Sequence, residues 1–394
     1  MSACGGDGAL DMDSVFTTLG WGFCAIALIG AGYALLCALL AAHFMRRAAT
    51  ANADLPAVSI LKPLHQSEPD LAKNLETVFN QVYPHPVQIV FGAHDPDDPA
   101  LGVVRALQAK YPHADTVIVA NAASHGANAK ISNLINMLPA AQHDVLVLSD
   151  SDIAVKPDWL EQVVSALHRP NVGVVTCLYT GEAAQGAHRL WSGLAAMGTS
   201  YGFLPNAILG FSLGLAAPCF GSTIALRRRT LNEIGGFAAF ADHLADDYEI
   251  GHAVRKAGHA LAIPALSVGH TAAESSFADL FRHELRWTRT IRLVNPAGHF
   301  GSIVTHGLPF ALMGAALLGF APAALAILGA VLASRLALKW RIDRLFGTRA
   351  GPFWLLPVRD LLSFVVFLAS LFGETVHWRG SHFTVQRCGA ISSG

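Results

Sequence analysis

Charge is scarce in this sequence of 394 residues: Asp, Glu, Lys and Arg make up 14% of it, against about 25% in an ordinary soluble protein. With 53% apolar residues and a mean hydropathy of +0.42, the chain is expected to need a membrane. A basic surplus is missing as well, since 27 Lys and Arg face 28 Asp and Glu. That excludes the cationic field by which proteins recruit nucleic acid. The six cysteines include no C-x-x-C pair, which argues against a disulfide framework or a zinc site and fits a reduced, cytosolic face. No G-x-x-x-x-G-K-[ST] loop occurs and no G-x-G-x-x-G follows the first apolar strand, so neither a P-loop NTPase nor a dinucleotide dehydrogenase is expected.

What the chain does have is apolar runs. Residues 15–44 carry no Asp, Glu, Lys or Arg, and a helix of that length exceeds the roughly 30 Å of a hydrocarbon core. Asp7, Asp11 and Asp13 stand before it, where a cleaved leader would be basic. Residues 15–45 are therefore expected to remain as a transmembrane anchor behind a short tail, residues 1–14. Arg46 and Arg47 follow at once, and the positive-inside bias puts the next segment on the cytoplasmic side. Apolar character returns at 302–338, interrupted by Pro322 and read as a transmembrane hairpin, and at 353–373, read as a transmembrane or interfacial helix before a tail at 374–394. Lys339, Arg341, Arg344 and Arg349 would form a basic loop between them. Arg359 and Asp360 lie where a charge deep in the bilayer would be costly. A further stretch poor in charge, 190–226, is broken by Pro205, Pro218 and glycines, and reads either as a membrane-facing segment that shapes a groove for a lipid or as a buried core loop.

From residue 54 to about 292 the texture differs. VSILKP, VQIVFGAHD, DTVIVAN, DVLVLSDSD and VGVVTCLY are strand-like runs separated by helix-like segments, the pattern of an α/β domain. Each run ends in polar residues, and open α/β sheets bind their ligands at those carboxyl ends.

Four sites there carry chemistry. Asp150 and Asp152, one residue apart after DVLVL, can face one hard cation such as Mg²⁺ or Mn²⁺, or can simply form an acidic turn. Asp95 ends another strand, as a nucleotide contact or as the start of an Asp-Pro turn. Asp246 and Asp247 open a helix whose dipole favours ionised carboxylates, fit to accept a proton from an attacking alcohol or to cap the helix. In His283-Glu284-Leu285-Arg286-Trp287 the arginine can grip a phosphate and the tryptophan can stack on a sugar. Arg289 and Arg292 on the following turns are expected to lie on the membrane surface. His270 is a further candidate metal ligand, with an ordinary core or surface histidine as the rival reading.

In this order and spacing the four sites resemble the inverting family of ceramide glucosyltransferases and their bacterial relatives. That family carries an early aspartate, a DxD-like strand end, a D-D-Y helix start and a (Q/R)xxRW motif, here Asp95, Asp150 with Asp152, Asp246-Asp247-Tyr248 and HELRW. ILKPL around Lys62, the DPDDP run, AKISNLINM around Lys130, GGF and a late WRG extend the likeness. The resemblance implies a cytoplasmic GT-A catalytic domain over residues 54–295 and a bacterial inner-membrane protein with one N-terminal and two to three C-terminal spans. It implies a UDP-sugar donor, a membrane lipid acceptor and a divalent cation, Mn²⁺ or Mg²⁺, on Asp150 and Asp152. Asp95, Lys62, Lys130 and Asp150 would bind the donor, Asp247 would be the general base, and Arg286 with Trp287 would hold the diphosphate and acceptor region. His283 stands where the family has Gln or Arg, and Asp246 and His270 are secondary candidates. DSD, HGANAKISNLINM and HELRW look most like a bacterial branch associated with hopanoids, which implies transfer of N-acetylglucosamine to bacteriohopanetetrol. Ceramide glucosylation from UDP-glucose is the runner-up, and a non-catalytic lipid-binding scaffold is the alternative from another class.

Overall fold

The computed structural model describes residues 12–47, 55–186, 189–373, 375–378, 381–385 and 391–393. Most of the expected N-terminal tail, with Asp7 and Asp11, lies outside these. The chain begins with helix α1 (Met12–Met45) and continues β1 (Val58–Pro63), α2 (Leu71–Phe79), β2 (Val87–Ala93), α3 (Pro99–Lys110), β3 (Asp115–Ala120), α4 (Ala129–Met137), β4 (Val145–Leu148) and β5 (Ile153–Ala154). Then come α5 (Trp159–Leu167), β6 (Val172–Thr176), β7 (Leu178–Ala183), α6 (Arg189–Gly198), α7 (Leu204–Ser212), β8 (Ile224–Arg227), α8 (Arg228–Glu233), α9 (Asp246–Lys256), β9 (Ala260–Ala262) and β10 (Ser267–Ala272). Helices α10 (Phe277–Val294), α11 (Pro296–Gly301), α12 (Gly307–Leu317), α13 (Pro322–Phe346) and α14 (Leu356–Ser370) complete the chain before three short antiparallel strands, β11 (Thr375–Trp378), β12 (Ser381–Val385) and β13 (Ile391–Ser393), where a tail was expected.

The main sheet runs β3-β2-β1-β4-β8-β6-β9, and β1 is parallel to β2 on one side and to β4 on the other. Both faces are covered, which explains the unbroken apolar strands. Ile60 and Val147 point into one core with Phe91, while Leu61 and Leu146 point into the other with Ile131 and Leu134. Chain order reverses at β1/β4, the switch point where open α/β sheets form a ligand crevice. A second sheet, β5-β10-β7, stands beside that edge and presents His270 opposite Ile153.

Three helices are long and apolar enough to cross a membrane: Met12–Met45, Pro322–Phe346 and Phe353–Ser370, the last counting the turn that leads into α14. A fourth span would be the pair Pro296–Thr305 and Gly307–Leu317, bent by 55°. Helix α1 packs on α12 and α13 through small residues, the usual device where lipid supplies no hydrophobic contrast. A Cβ at Gly30 would stand 2.9 Å from the Gly307 Cα.

Several expectations are corrected here. The hairpin expected at 302–338 turns at Gly319 and Phe320, and its second arm runs on to Phe346, so Lys339, Arg341 and Arg344 lie on a helix and not in a loop. Lys339 is buried against Asp343 at 2.8 Å and the Tyr201 hydroxyl at 2.9 Å. Asp360 meets Arg335 at 2.7 Å and Arg359 meets Glu284, so both charges of the last apolar stretch are paired. The 190–226 stretch, expected as a membrane-facing segment or a buried core loop, forms α6, a π-helical turn Thr199–Phe203 and α7, and is a loop only over 213–223, before β8. This unit docks on the membrane helices, with Tyr33 of α1 donating to Asn206 at 2.7 Å and Arg335 of α13 donating to the Tyr201 carbonyl at 3.2 Å. Gly210-Phe211-Ser212-Leu213-Gly214 has the spacing of a hydrolase nucleophile elbow, but Ser212 ends a helix and does not follow a strand.

Candidate active site

The crevice at the β1/β4 edge gathers residues distant in sequence. After β4 the chain turns through Asp150 and Asp152, and Lys62 at the end of β1 fixes that turn from below. Its ammonium is buried and donates to the Ser149 hydroxyl at 3.1 Å, the Asp150 carbonyl at 2.7 Å and the Ile153 carbonyl at 3.4 Å. Burial pulls its pKa down to about 8 despite Asp150, Asp152 and Glu68 nearby. The donor contact expected of Lys62 is corrected: its protons are directed into the protein, and it acts by holding the acidic turn.

Lys130 does reach the crevice. It opens α4, whose first turn is capped by the buried Asn128 side chain accepting from the Lys130 and Ile131 amides. The Lys130 ammonium lies 2.7 Å from Asp150 and 3.4 Å from Asp246. Burial disfavours its charge, but Asp150, Asp246 and Asp247 outweigh that and hold it protonated. Asn128 also donates to the His243 carbonyl at 2.8 Å and to Asp246 at 3.3 Å, tying the start of α4 to the start of α9.

Asp247, in the first turn of α9, accepts from the Gly221 amide at 2.9 Å and the Tyr248 amide at 2.8 Å. Burial and the adjacent Asp246 push its carboxyl up to about 6, against the pull of Lys130 and the two amides. A carboxyl poised near neutrality fits a general base. Gly221 is required by space: a Cβ there would sit 2.8 Å from Asp150 Oδ2 and 2.9 Å from Lys130 Nζ. The sequence carried no sign of Gly221 beyond its neighbourhood in CFGST, and Asn128 announced itself only as a helix cap.

Asp150 and Asp152 each keep about a third of the side chain exposed, 34% and 33%. Burial and the neighbouring carboxylates push the Asp150 pKa up; at Asp152 burial is outweighed by His270, at 3.3 Å through Nε2, together with Lys62 and Lys130, which hold its carboxyl down. Asp152 Oδ1 is buried with no hydrogen-bond partner. Two carboxylates on one turn, one with an oxygen left open, suit a hard divalent cation bound with help from a ligand's own oxygens. Among the described residues no three His, Cys, Asp or Glu converge as a complete metal set.

Helix α10 carries HELRW along the other wall. His283 Nδ1 lies 2.5 Å from the buried Glu274, and its ring is 4.5 Å from that of Trp287, which stands 6.1 Å from His270. Arg286 is half-buried on the same helix. Arg289 and Arg292, expected on a membrane surface, are tied to the end of an apolar helix. Arg289 donates to the Phe372 carbonyl at 2.8 Å, and Arg292 to those of Leu371 and Gly373 at 3.3 and 2.5 Å, satisfying carbonyls at the C-terminal end of α14. Asp95 stands exposed just beyond the carboxyl end of β2, its carboxylate accepting from the Asp97 amide at 2.9 Å.

Comparison with known proteins gives a consistent picture. The model of Glycosyl transferase family 21 matches residues 22–391. Ceramide glucosyltransferase 1 of Caenorhabditis elegans is 28% identical over 236 residues, covering 60% of this chain and 50% of that protein. The ceramide glucosyltransferase of Komagataella phaffii is 34% identical over 116 residues, 28% of this chain and 23% of its own. This chain thus spans about half the length of the curated Caenorhabditis elegans relatives it matches. The solved structure of the mannosyltransferase PcManGT from Pyrobaculum calidifontis, in complex with GDP-Man and Mn2+, superposes with a TM-score of 0.50 at 18% identity, over 91% of this chain and 99% of that one. That likeness is one of fold, and the α/β catalytic domain has the GT-A architecture expected for it.

Proposed function

The chain belongs to glycosyltransferase family 21, and from that premise we propose that it transfers a sugar from a UDP-sugar to a primary hydroxyl of a membrane lipid, inverting the anomeric centre. The observation that carries this reading is the pairing of a half-buried carboxyl tuned to about 6, Asp247, with a crevice that ends in Asp150, Asp152 and Lys130. Asp247 takes the proton of the acceptor hydroxyl as that oxygen bonds to the anomeric carbon. The bond from that carbon to the diphosphate oxygen breaks, and UDP leaves with the electron pair. Lys130 keeps a positive charge beside the leaving group, and Asp95 and Arg286 are read as contacts to the nucleotide and the diphosphate. Asp150 and Asp152 would hold a divalent cation, Mn²⁺ or Mg²⁺, whose charge neutralises the diphosphate. The mannosyltransferase of like fold was solved with GDP-Man and Mn2+, which supports such a cation here.

For the finer assignment, the DSD, HGANAKISNLINM and HELRW strings favour N-acetylglucosamine transfer from UDP-N-acetylglucosamine to bacteriohopanetetrol. Glucosylation of ceramide from UDP-glucose is the second reading, favoured by the names of the curated relatives. Arg46 and Arg47 after α1 support a catalytic domain on the cytoplasmic face of a bacterial inner membrane. The test offers radiolabelled UDP-N-acetylglucosamine and UDP-glucose separately to the purified chain, each with bacteriohopanetetrol or ceramide. The labelled product names donor and acceptor together, and a chain that binds lipid and UDP but forms no product is a scaffold.

A further inference from the structure

We propose that a cavity beside Asp152, walled by His270, Glu274, His283 and Thr271, binds a hydroxyl-rich group and that Glu274 is its specificity-determining residue. The proposal rests on the transferase reading for its sources of such a group: the sugar of the donor or a polyhydroxylated head on the acceptor.

The cavity measures about 300 Å³, and Glu68 and Asp279 share the rest of its wall with Pro69 and Ala273. At about 30 Å³ of liquid per water, that volume holds one sugar ring or a short polyol with a few waters. Two wall residues are each fixed at one polar atom and left open at the other. Glu274 is 8% exposed; one carboxylate oxygen is held by His283 at 2.5 Å, and the other, Oε2, is buried without a hydrogen-bond partner. His270 is held at Nε2 by Asp152 at 3.3 Å, and its Nδ1 is buried and likewise unpartnered. A buried polar atom left unpaired is costly, so two at one cavity point to a ligand that completes them.

The chemistry of the missing partner is narrow. The carboxylate oxygen needs a donor, and the imidazole nitrogen accepts or donates according to its tautomer. Hydroxyl groups supply both, and an aliphatic chain supplies neither.

The experiment uses the full chain in phosphatidylcholine nanodiscs, as wild type and as Glu274→Gln. It measures the Kd for UDP, the KM for the UDP-sugar, and the KM for a long-chain tetrol and for a single alcohol of the same chain length. Glu274→Gln is expected to raise one KM about tenfold, the loss of one hydrogen bond to a charged group, with the Kd for UDP unchanged. A rise for the tetrol and not for the single alcohol makes the acceptor head the occupant, and a rise for the UDP-sugar makes it the transferred sugar. Unchanged KM values for both overturn the proposal. If the variant melts below the wild type, Glu274→Asp, which keeps the charge and draws the carboxylate back by one methylene, is read in the same way. If the wild type turns nothing over, retention of the tetrol by native mass spectrometry decides: loss in Glu274→Gln supports the site, and equal retention overturns it even though the transferase reading has failed separately.

Discussion

Arg359 of α14 grips Glu284 of α10 with both arms of its guanidinium, Nη1 on Oε1 and Nη2 on Oε2 at 2.7 Å. The same group donates to the Leu194 carbonyl at 3.3 Å and to Ser363 at 3.0 Å, and Arg359 is only 6% exposed. Glu284 is the neighbour of His283, so a membrane helix and the motif that lines the active site are joined by one buried ion pair. Breaking such a pair from one side leaves an uncompensated charge. Arg359→Met is therefore expected to lower stability by about 3–5 kcal/mol, read as a fall in melting temperature in detergent, and Glu284→Gln with Arg359→Met together should recover part of it. A double variant no more stable than either single one would show that the pair does not couple the two helices.

Asp247→Asn keeps the shape of the side chain and removes its basicity. Turnover should fall by about 10²- to 10⁴-fold, while UDP binding in the presence of Mn²⁺, measured by titration calorimetry, stays as in the wild type. Loss of both together would mean that Asp247 serves the fold and not the proton transfer.

The same carboxyl predicts a pH profile. Its pKa is raised to about 6 by burial and by Asp246, with Lys130 and two backbone amides opposing. Only the ionised form accepts a proton, so kcat/KM should be level above about pH 7 and fall about tenfold per unit once the pH drops below about 6. An acid limb near pH 4, the range of an ordinary aspartate, would remove Asp247 from the role of base.

Chelation tests the acidic turn. EDTA should abolish transfer, and Mn²⁺ or Mg²⁺ should restore it in the wild type but not in Asp152→Asn, where the open oxygen has lost its charge. Full activity in a metal-free preparation contradicts the role given to Asp150 and Asp152.

Gly221→Ala isolates positioning from packing. The added Cβ would stand 2.8 Å from Asp150 and 2.9 Å from Lys130 and must displace one of them. A misplacement of about 1 Å near the reacting atoms is expected to reduce kcat by about 10²-fold, with little change in melting temperature because Asp150 lies on a half-open turn. Unaltered kcat would show that the crevice tolerates the methyl group.

Much of this protein was readable from local pattern. Alternating apolar runs placed the α/β domain, the acidic residues after VLVL fell on a strand end, and uncharged stretches marked the anchor and the later membrane helices. These are properties of neighbouring residues, set by strand and helix periodicity and by the thickness of a bilayer. Asp95, Asp150, Asp152 and Asp247 could be named for the same reason, since each opens a turn or a helix beside an apolar run.

The remainder depended on which distant residues meet. Lys62 was expected as a donor contact only through the family resemblance around ILKPL; the fold turns it beneath the Asp150 turn, 88 residues away. Arg289 and Arg292 looked like membrane-surface charges because their helix is amphipathic, yet they satisfy carbonyls at residues 371–373. Glu274 had no motif at all and gained its place only when β10 and α10 brought it against His283. The sequence by itself determined the elements, the membrane runs and the acidic strand ends, since these follow from local periodicity and hydrophobicity. Tertiary structure alone decided which charges are buried, which are paired and which are left open, because a charge takes its function from partners that the chain brings to it across long separations.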